Sequence, residues 1–265
     1  MTYSVKEIID QLDEFAPKKS ACEWDNPGLL VGQSSFPVSK VYLALDATTS
    51  VVEQAIEEGC DLIVTHHPIL FRAIKSINDD CALGLKLMDL IRNDVAVFSM
   101  HTNFDSCPGG MGDLVCERLQ LQKTGFLEPT GYEDDKELPY GIGFTAELPH
   151  RMTAPEFAAF VKERFQLPFV QYYDAGLSIK TIACCPGSGR SELHEVLNTH
   201  ADAFLTGDMG HHEAQDLVEE GVNVIDAGHY GLEHIFIPFM KSWFHDHFPE
   251  ITAVTAPIQF PAASV

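Results

Sequence analysis

Basic residues are scarce in this chain. Its 265 residues hold 17 Lys and Arg against 39 Asp and Glu, a formal charge of −22. A surface this acidic repels phosphate backbones and anionic headgroups, which argues against nucleic-acid binding and against adhesion to an anionic membrane. Long apolar runs are also missing. None approaches the ~20 residues a membrane helix needs. The opening stretch MTYSVKEIIDQLDEFAP mixes charge into every turn, unlike a secretory leader. No Cys-x-x-Cys occurs: Cys22, Cys60, Cys81, Cys107, Cys116, Cys184 and Cys185 are odd in number, and two are adjacent. That pattern supports neither a disulfide framework nor a zinc knuckle, and the thiols read as small core residues of a reduced, cytoplasmic protein. A G-x-S-x-G elbow is absent too, so Ser/His/Asp hydrolysis has no support.

What remains is globular, with 45% apolar residues. Val5, Ile8, Ile9, Leu12 and Phe15 recur at helical spacing over 4–15, with Ser4 and Glu7 as a capping box. A turn-rich segment, CEWDNPGLLVG, follows. Then apolar runs alternate with helical stretches: strands at 40–46, 61–65 and 94–100, helices at 48–59 and 81–92. Residues 128–139 are polar with Pro and Gly and read as a loop or boundary. Beyond them the pattern predicts a strand over 141–148, a helix over 153–166 capped by Thr153, and a strand over 177–187. The rhythm then resumes with a strand at 202–206, a helix at 211–220, a strand at 222–227 and a helix at 231–246. The apolar face of that last helix is a candidate for contact between subunits. This is an α/β fold with mixed sheets flanked by helices.

The halves resemble each other. Gly-Cys-Asp leads through a strand to Thr65-His66-His67, and His-Ala-Asp leads through a strand to Thr206 and on to His211-His212. One helix and strand later, each half presents a histidine, His101 or His229. Of twelve histidines, these and His234 fall at or just after strand ends, the edge where α/β proteins bind ligands. Asp105 follows His101 by four positions, and Glu233 follows His229 by four, so the latter pair shares a helix face. Adjacent side chains on an extended segment point apart, so His66 and His67 suit two ions, or one ion at a sharp turn. Imidazoles and carboxylates without thiolates suit zinc, iron, manganese, nickel or cobalt, and three His with two carboxylates would leave positions open for water. The turn 186–191 is either an anion cradle of backbone N–H groups or a plain strand-to-helix turn. Trp24-Asp25-Asn26 is either a packed Trp beside an Asx turn or part of a pocket wall.

Taken in order, WDNPGLLVG, THHP, HTNFD, TGDMGHH and DAGHYGLE span nearly the whole chain and resemble the dinuclear metal centre family, the YbgI-like or NIF-three-like proteins called GTP cyclohydrolase 1 type 2 homologues. The resemblance implies two interlocked α/β layers: a metal-binding domain of 1–124 plus 228–265, and an inserted domain of 125–227. It implies metal ligation by His66, His67, Asp105, His229 and Glu233, with Glu233 bridging two divalent ions. His101, His211 and His212 would be catalytic neighbours. Asp208 stands where the family more commonly has Glu, and the shorter side chain predicts a water-mediated contact. It further implies a toroidal homohexamer acting on a small molecule, a nucleotide if the family name holds. Two function classes follow. One is a metal-dependent hydrolase of the GTP cyclohydrolase type 2 kind. The other is a metal-delivery or regulatory scaffold protein without turnover. DNA binding inside a toroid is disfavoured by the charge. The acidic excess itself belongs on solvated faces such as Glu53, Glu57, Glu58, Glu133, Asp134, Asp135, Glu219 and Glu220.

Overall fold

The structure, a computed structural model, describes residues 2–133 and 138–264. The chain forms two compact units, one of Met1–Phe104 with Phe236–Ile258, the other of Asp105–Ile235 with Gln259–Val265. The resemblance implies divisions after 124 and 227; compactness divides the chain after Phe104, Ile235 and Ile258. Among the described residues no helix is long and apolar enough to cross a membrane.

The first unit is built on a five-stranded sheet in the order Thr252–Thr255, Lys40–Ala44, Leu62–Thr65, Ala96–Ser99, Gly28–Val31. The first four run parallel, and the last pairs antiparallel with Ala96–Ser99. Leu62–Thr65 and Ala96–Ser99 are buried at every position, as parallel strands covered on both faces must be. Helices Thr49–Glu57 and Ala82–Arg92 supply Val52, Leu87 and Leu90 to a core shared with Tyr42, Ile63 and Val97. Helix Val5–Phe15 starts at the expected capping box, with Ser4 N–H donating to Glu7 Oε2 at 2.7 Å. The strand Gly28–Val31 corrects the expectation of a turn. Gly28 pairs with Ser99 at a φ of 117°, which ordinary side chains resist, so a turn-like sequence enters the sheet.

The second unit carries a six-stranded mixed sheet in the order Gln171–Tyr173, Asn223–Asp226, Ala203–Gly207, Ile179–Ser188, Phe144–Met152, Lys123–Gly125. Its three middle strands, Asn223–Asp226, Ala203–Gly207 and Ile179–Ser188, run parallel, and the outer pairings are antiparallel. Residues expected as a loop include two strands that pair antiparallel, Glu128–Glu133 with Leu138–Ile142. Asp134 and Asp135, expected on the acidic surface, lie outside the described residues. Phe144–Met152 runs on through Pro149 because the ladder shifts register between Glu147 and Met152, where Pro is tolerated.

The helix expected over 231–246 is two helices, His229–Glu233 and Phe236–His247. Pro238 has no N–H to continue a ladder from the preceding turn, so it fits only in the first turn of a new helix. The apolar face of the second helix (Phe236, Ile237, Met240, Trp243, Phe244) is buried and is not an open surface. Five of the seven cysteines behave as core: Cys60, Cys107, Cys116, Cys184 and Cys185 are buried, and burial pushes the Cys60 thiol up to about 11, whereas Cys22 is half-buried and Cys81 exposed, against the expectation. The acids Glu53, Glu57, Glu58, Glu219 and Glu220 are exposed.

Candidate metal centre

In the first unit the chain bends as it leaves Thr65. That bend brings the rings of His66 and His67 within 4.9 Å of each other, instead of the opposed directions of an extended strand. His101, just past the neighbouring strand, lies 5.3 Å from His66 and 5.5 Å from His67 between ring centroids. One ring nitrogen from each of these three converges within 4.8 Å of the others.

Each ring is held from behind. His66 Nδ1 lies 2.7 Å from the Met100 carbonyl, His67 Nδ1 2.8 Å from Asp46 Oδ1, and His101 Nδ1 2.8 Å from Asp25 Oδ1. Carbonyls and carboxylates only accept, so each Nδ1–H donates, and in the neutral ring that leaves the lone pair on Nε2. This is how metal-binding imidazoles are oriented. The Nε2 of His66 is closed off from solvent.

Asp25 carries more than one bond. Its Oδ2 accepts from the Thr102 N–H at 3.0 Å and from the Thr102 hydroxyl at 2.6 Å. Burial opposes ionisation of Asp25, but the His101 and Thr102 bonds outweigh it and hold the carboxyl at about 2. The side chain of Asp25 has no solvent exposure. The WDN segment is therefore neither a simple turn nor only a wall: its Asp fixes His101, while Trp24 stays exposed.

In the second unit, His229 and Glu233 sit one turn apart on the five-residue helix His229–Glu233, with Nε2 and Oε2 at 3.1 Å. His229 Nδ1 is 3.1 Å from Asp208 Oδ2. This contact is direct, which corrects the expectation of a water between them: Asp208 takes a left-handed φ of 55° that brings its short side chain to the ring. A carboxylate oxygen of Asp105 lies within 4.8 Å of one from Glu233, and Asp105 Oδ1 and Glu233 Oε2 are both closed to solvent.

Two glycines make room for this pair. A Cβ on Gly187 would stand 2.5 Å from Glu233 Oε1, and one on Gly207 would stand 2.3 Å from the His229 backbone nitrogen. The turn at 186–191 is thus a clearance more than an anion cradle. Gly189 N–H already donates to Thr206 Oγ1 at 3.0 Å, and Arg190 Nε to the Asp208 carbonyl at 2.9 Å. His211 and His212 open the helix His211–Glu219, are exposed, and face each other at 5.2 Å. Neither belongs to a converging ligand group among the described residues.

The chemistry of these donors fits a divalent cation. Imidazole nitrogens and carboxylate oxygens suit such ions. Two carboxylates this close, shut away from water, repel each other until positive charge or protons neutralise them. Burial raises the Cys185 thiol, and the negative charges of Glu192, Asp105 and Glu233 add to the effect. Spacing found the histidines and missed their holders. Asp46 closes the apolar run KVYLALD at the same sheet edge as His66, a signal that was open to reading.

Residues 3–260 match the family described as Duf34/NIF3 (NGG1p interacting factor 3). The chain belongs to the NIF3 family. Among its relatives is a "GTP cyclohydrolase 1 type 2 homolog" of Clostridium acetobutylicum, 37% identical over 88% of this chain and 86% of that one. A protein of the same name from Streptococcus pneumoniae is 35% identical over 91% of each. Staphylococcus aureus protein SA1388 superposes with a TM-score of 0.87 at 28% identity, covering 99% of both chains. A Bacillus cereus protein related to NIF3 gives 0.90 at 23% identity over the full length of both and supports the fold alone. The α/β architecture with mixed sheets flanked by helices is the NIF3 fold.

Proposed function

We propose that this NIF3 protein is a metal-dependent hydrolase whose His66, His67, Asp105, His229 and Glu233 together hold two divalent ions, with Glu233 shared between them. The carrying observation is the common anchoring of four imidazoles through Nδ1, three in the first unit and one in the second, together with the two carboxylates of the second unit that are closed to solvent. Bound there, divalent ions would lower the pKa of water towards ~7 and supply hydroxide at neutral pH. Asp25 holds His101 with its Nε2 free, which suits His101 to carry a proton to or from substrate. His211 and His212, exposed at a helix start, are the further groups that would meet substrate.

The relatives' name points to GTP, where one water would open the imidazole ring of guanine to a formamide and a second would cleave that amide, releasing the carbon as formate. The same family resemblance supports a cytoplasmic, toroidal homohexamer. A second reading, metal delivery or a regulatory scaffold without turnover, is favoured by the charge of −22, which repels an anionic nucleotide. Formate release from GTP by the metal-loaded protein separates the two. Release that is lost in both His66→Ala and Glu233→Ala supports the hydrolase. Retained metal with no release, followed by transfer of the metal to an apo acceptor, supports delivery.

A further inference from the structure

The chain has only two tryptophans, and they are used in opposite ways. Trp243 is 7% exposed and stacks on His247 at 4.2 Å. Trp24 is 62% exposed. An indole left in water forfeits a large apolar burial, so its surroundings matter. Within the first unit, Phe71, itself 48% exposed, meets Trp24 at 5.9 Å with the ring planes 72° apart. Both stand edge-on to His101, Trp24 at 6.0 Å and Phe71 at 6.1 Å. Asn26 ties the two segments together, its Nδ2 donating to the Leu70 carbonyl at 2.7 Å. The result is a corner of two exposed aromatic walls beside the one histidine of the cluster whose holder lies in the Trp24 segment.

A planar ring laid on one wall presents its edge to the other, the offset-and-edge geometry that aromatic groups prefer. Stacking on such a wall tolerates any base, because every base has a π-face. The next turn of chain adds charge of the rare sign. Arg72 and Lys75 are both exposed, and residues 66–78 contain no acid. In so acidic a chain this is a local opening for an anion.

We propose that Trp24 and Phe71 form a stacking site for a planar heteroaromatic ring beside His101, with Arg72 and Lys75 drawing in an anionic substituent on that ring. Naming the ring as a nucleotide base rests on the hydrolase reading; the stacking corner rests on the ring geometry. The charged loop also answers the electrostatic objection to a nucleotide, since approach is steered by local field as well as net charge.

The test uses the intact, metal-loaded protein carrying Trp243→Phe, so that emission reports Trp24 alone. GTP and guanosine are expected to quench it, and ribose 5-phosphate, an anion without a base, is not. By equilibrium dialysis, Trp24→Ala and Phe71→Ala should each weaken GTP about tenfold, and Trp24→Phe should recover most of the loss. Replacing both Arg72 and Lys75 by Ala should weaken GTP while leaving guanosine unchanged. Absence of quenching by both GTP and guanosine overturns the proposal. So do equal affinities in folded Trp24→Ala and Phe71→Ala, or Trp24 emission that follows protein concentration in place of nucleotide, which would mark the corner as a contact between copies. Binding that behaves as expected without formate release would remove the hydrolase reading and leave the stacking site. Formate release with an unchanged KM in Trp24→Ala would do the reverse.

Discussion

The two units use one backbone frame for different ends. Asp61 and Asp202 occupy matching places. Asp61 Oδ2 accepts the N–H groups of Ser39 and Lys40 at 2.7 and 3.1 Å, and Asp202 Oδ2 those of Lys180 and Thr181 at 2.7 and 2.9 Å. At the far end of each strand the match continues: Met100 N–H donates to the Thr65 carbonyl, and Ala227 N–H to the Thr206 carbonyl, both at 2.9 Å. The frames then part. After Thr65 the chain bends at once into His66 and His67, whose rings are gripped by hydrogen bonds. After Thr206 it passes through Gly207 and a left-handed Asp208, and the histidine pair that follows is exposed. Of the ligands proposed in the second unit, His229 and Glu233 owe their place to glycine clearances as much as to bonds. A ligand set can therefore be positioned by what holds it or by what is left out beside it.

The largest expected effect falls on Glu233. Glu233→Gln keeps the shape and removes the charge that a divalent ion requires, so metal content should fall to background by elemental analysis while the fold, read by circular dichroism, persists. Gly207→Ala comes next. Its methyl would meet the His229 backbone, and overpacking of this kind costs about 1–3 kcal/mol. The urea midpoint should drop, and an unchanged midpoint would sink the clearance account. Asp46→Asn and Asp25→Asn sharpen the other half of the comparison. Each loosens one imidazole of the first unit, and losing such an outer partner typically weakens metal binding by about 10–100-fold. Isothermal titration should show that loss without a fall in stability as large as for Gly207→Ala.

The smallest effect is a pH dependence. Asp25 is held at about 2 from an ordinary 3.8, and Asp202 is also lowered, burial opposing and the Thr181 and Lys180 N–H bonds prevailing. A depressed carboxyl stabilises the fold fully above its unfolded value, and that contribution is lost as pH falls through the folded value. Stability should therefore decline below about pH 4, and Asp25→Asn should flatten the decline. A slope unchanged by that variant would remove Asp25 from the account.

Much of this was legible in the residues. The parallel strands, the capping boxes and the histidines at strand ends follow from periodicity, because each is decided by neighbours a few positions away. What was hidden depends on partners far apart in the chain. Asp25 reaches His101 across 76 positions, and Gly187 matters only because Glu233 lies beside it. The paired strands Glu128–Glu133 and Leu138–Ile142 escaped because Pro and Gly signal turns locally while pairing is set across the ladder. The helix split before Pro238 was readable, since proline's missing N–H is a local fact.

Anchored imidazoles and enclosed carboxylates are here proposed to hold two divalent ions. That proposal is tested most directly by elemental analysis of protein purified without added metal. Close to two ions per chain are expected, falling sharply in both His66→Ala and Glu233→Ala. A content well below one, or one unmoved by those substitutions, would contradict it.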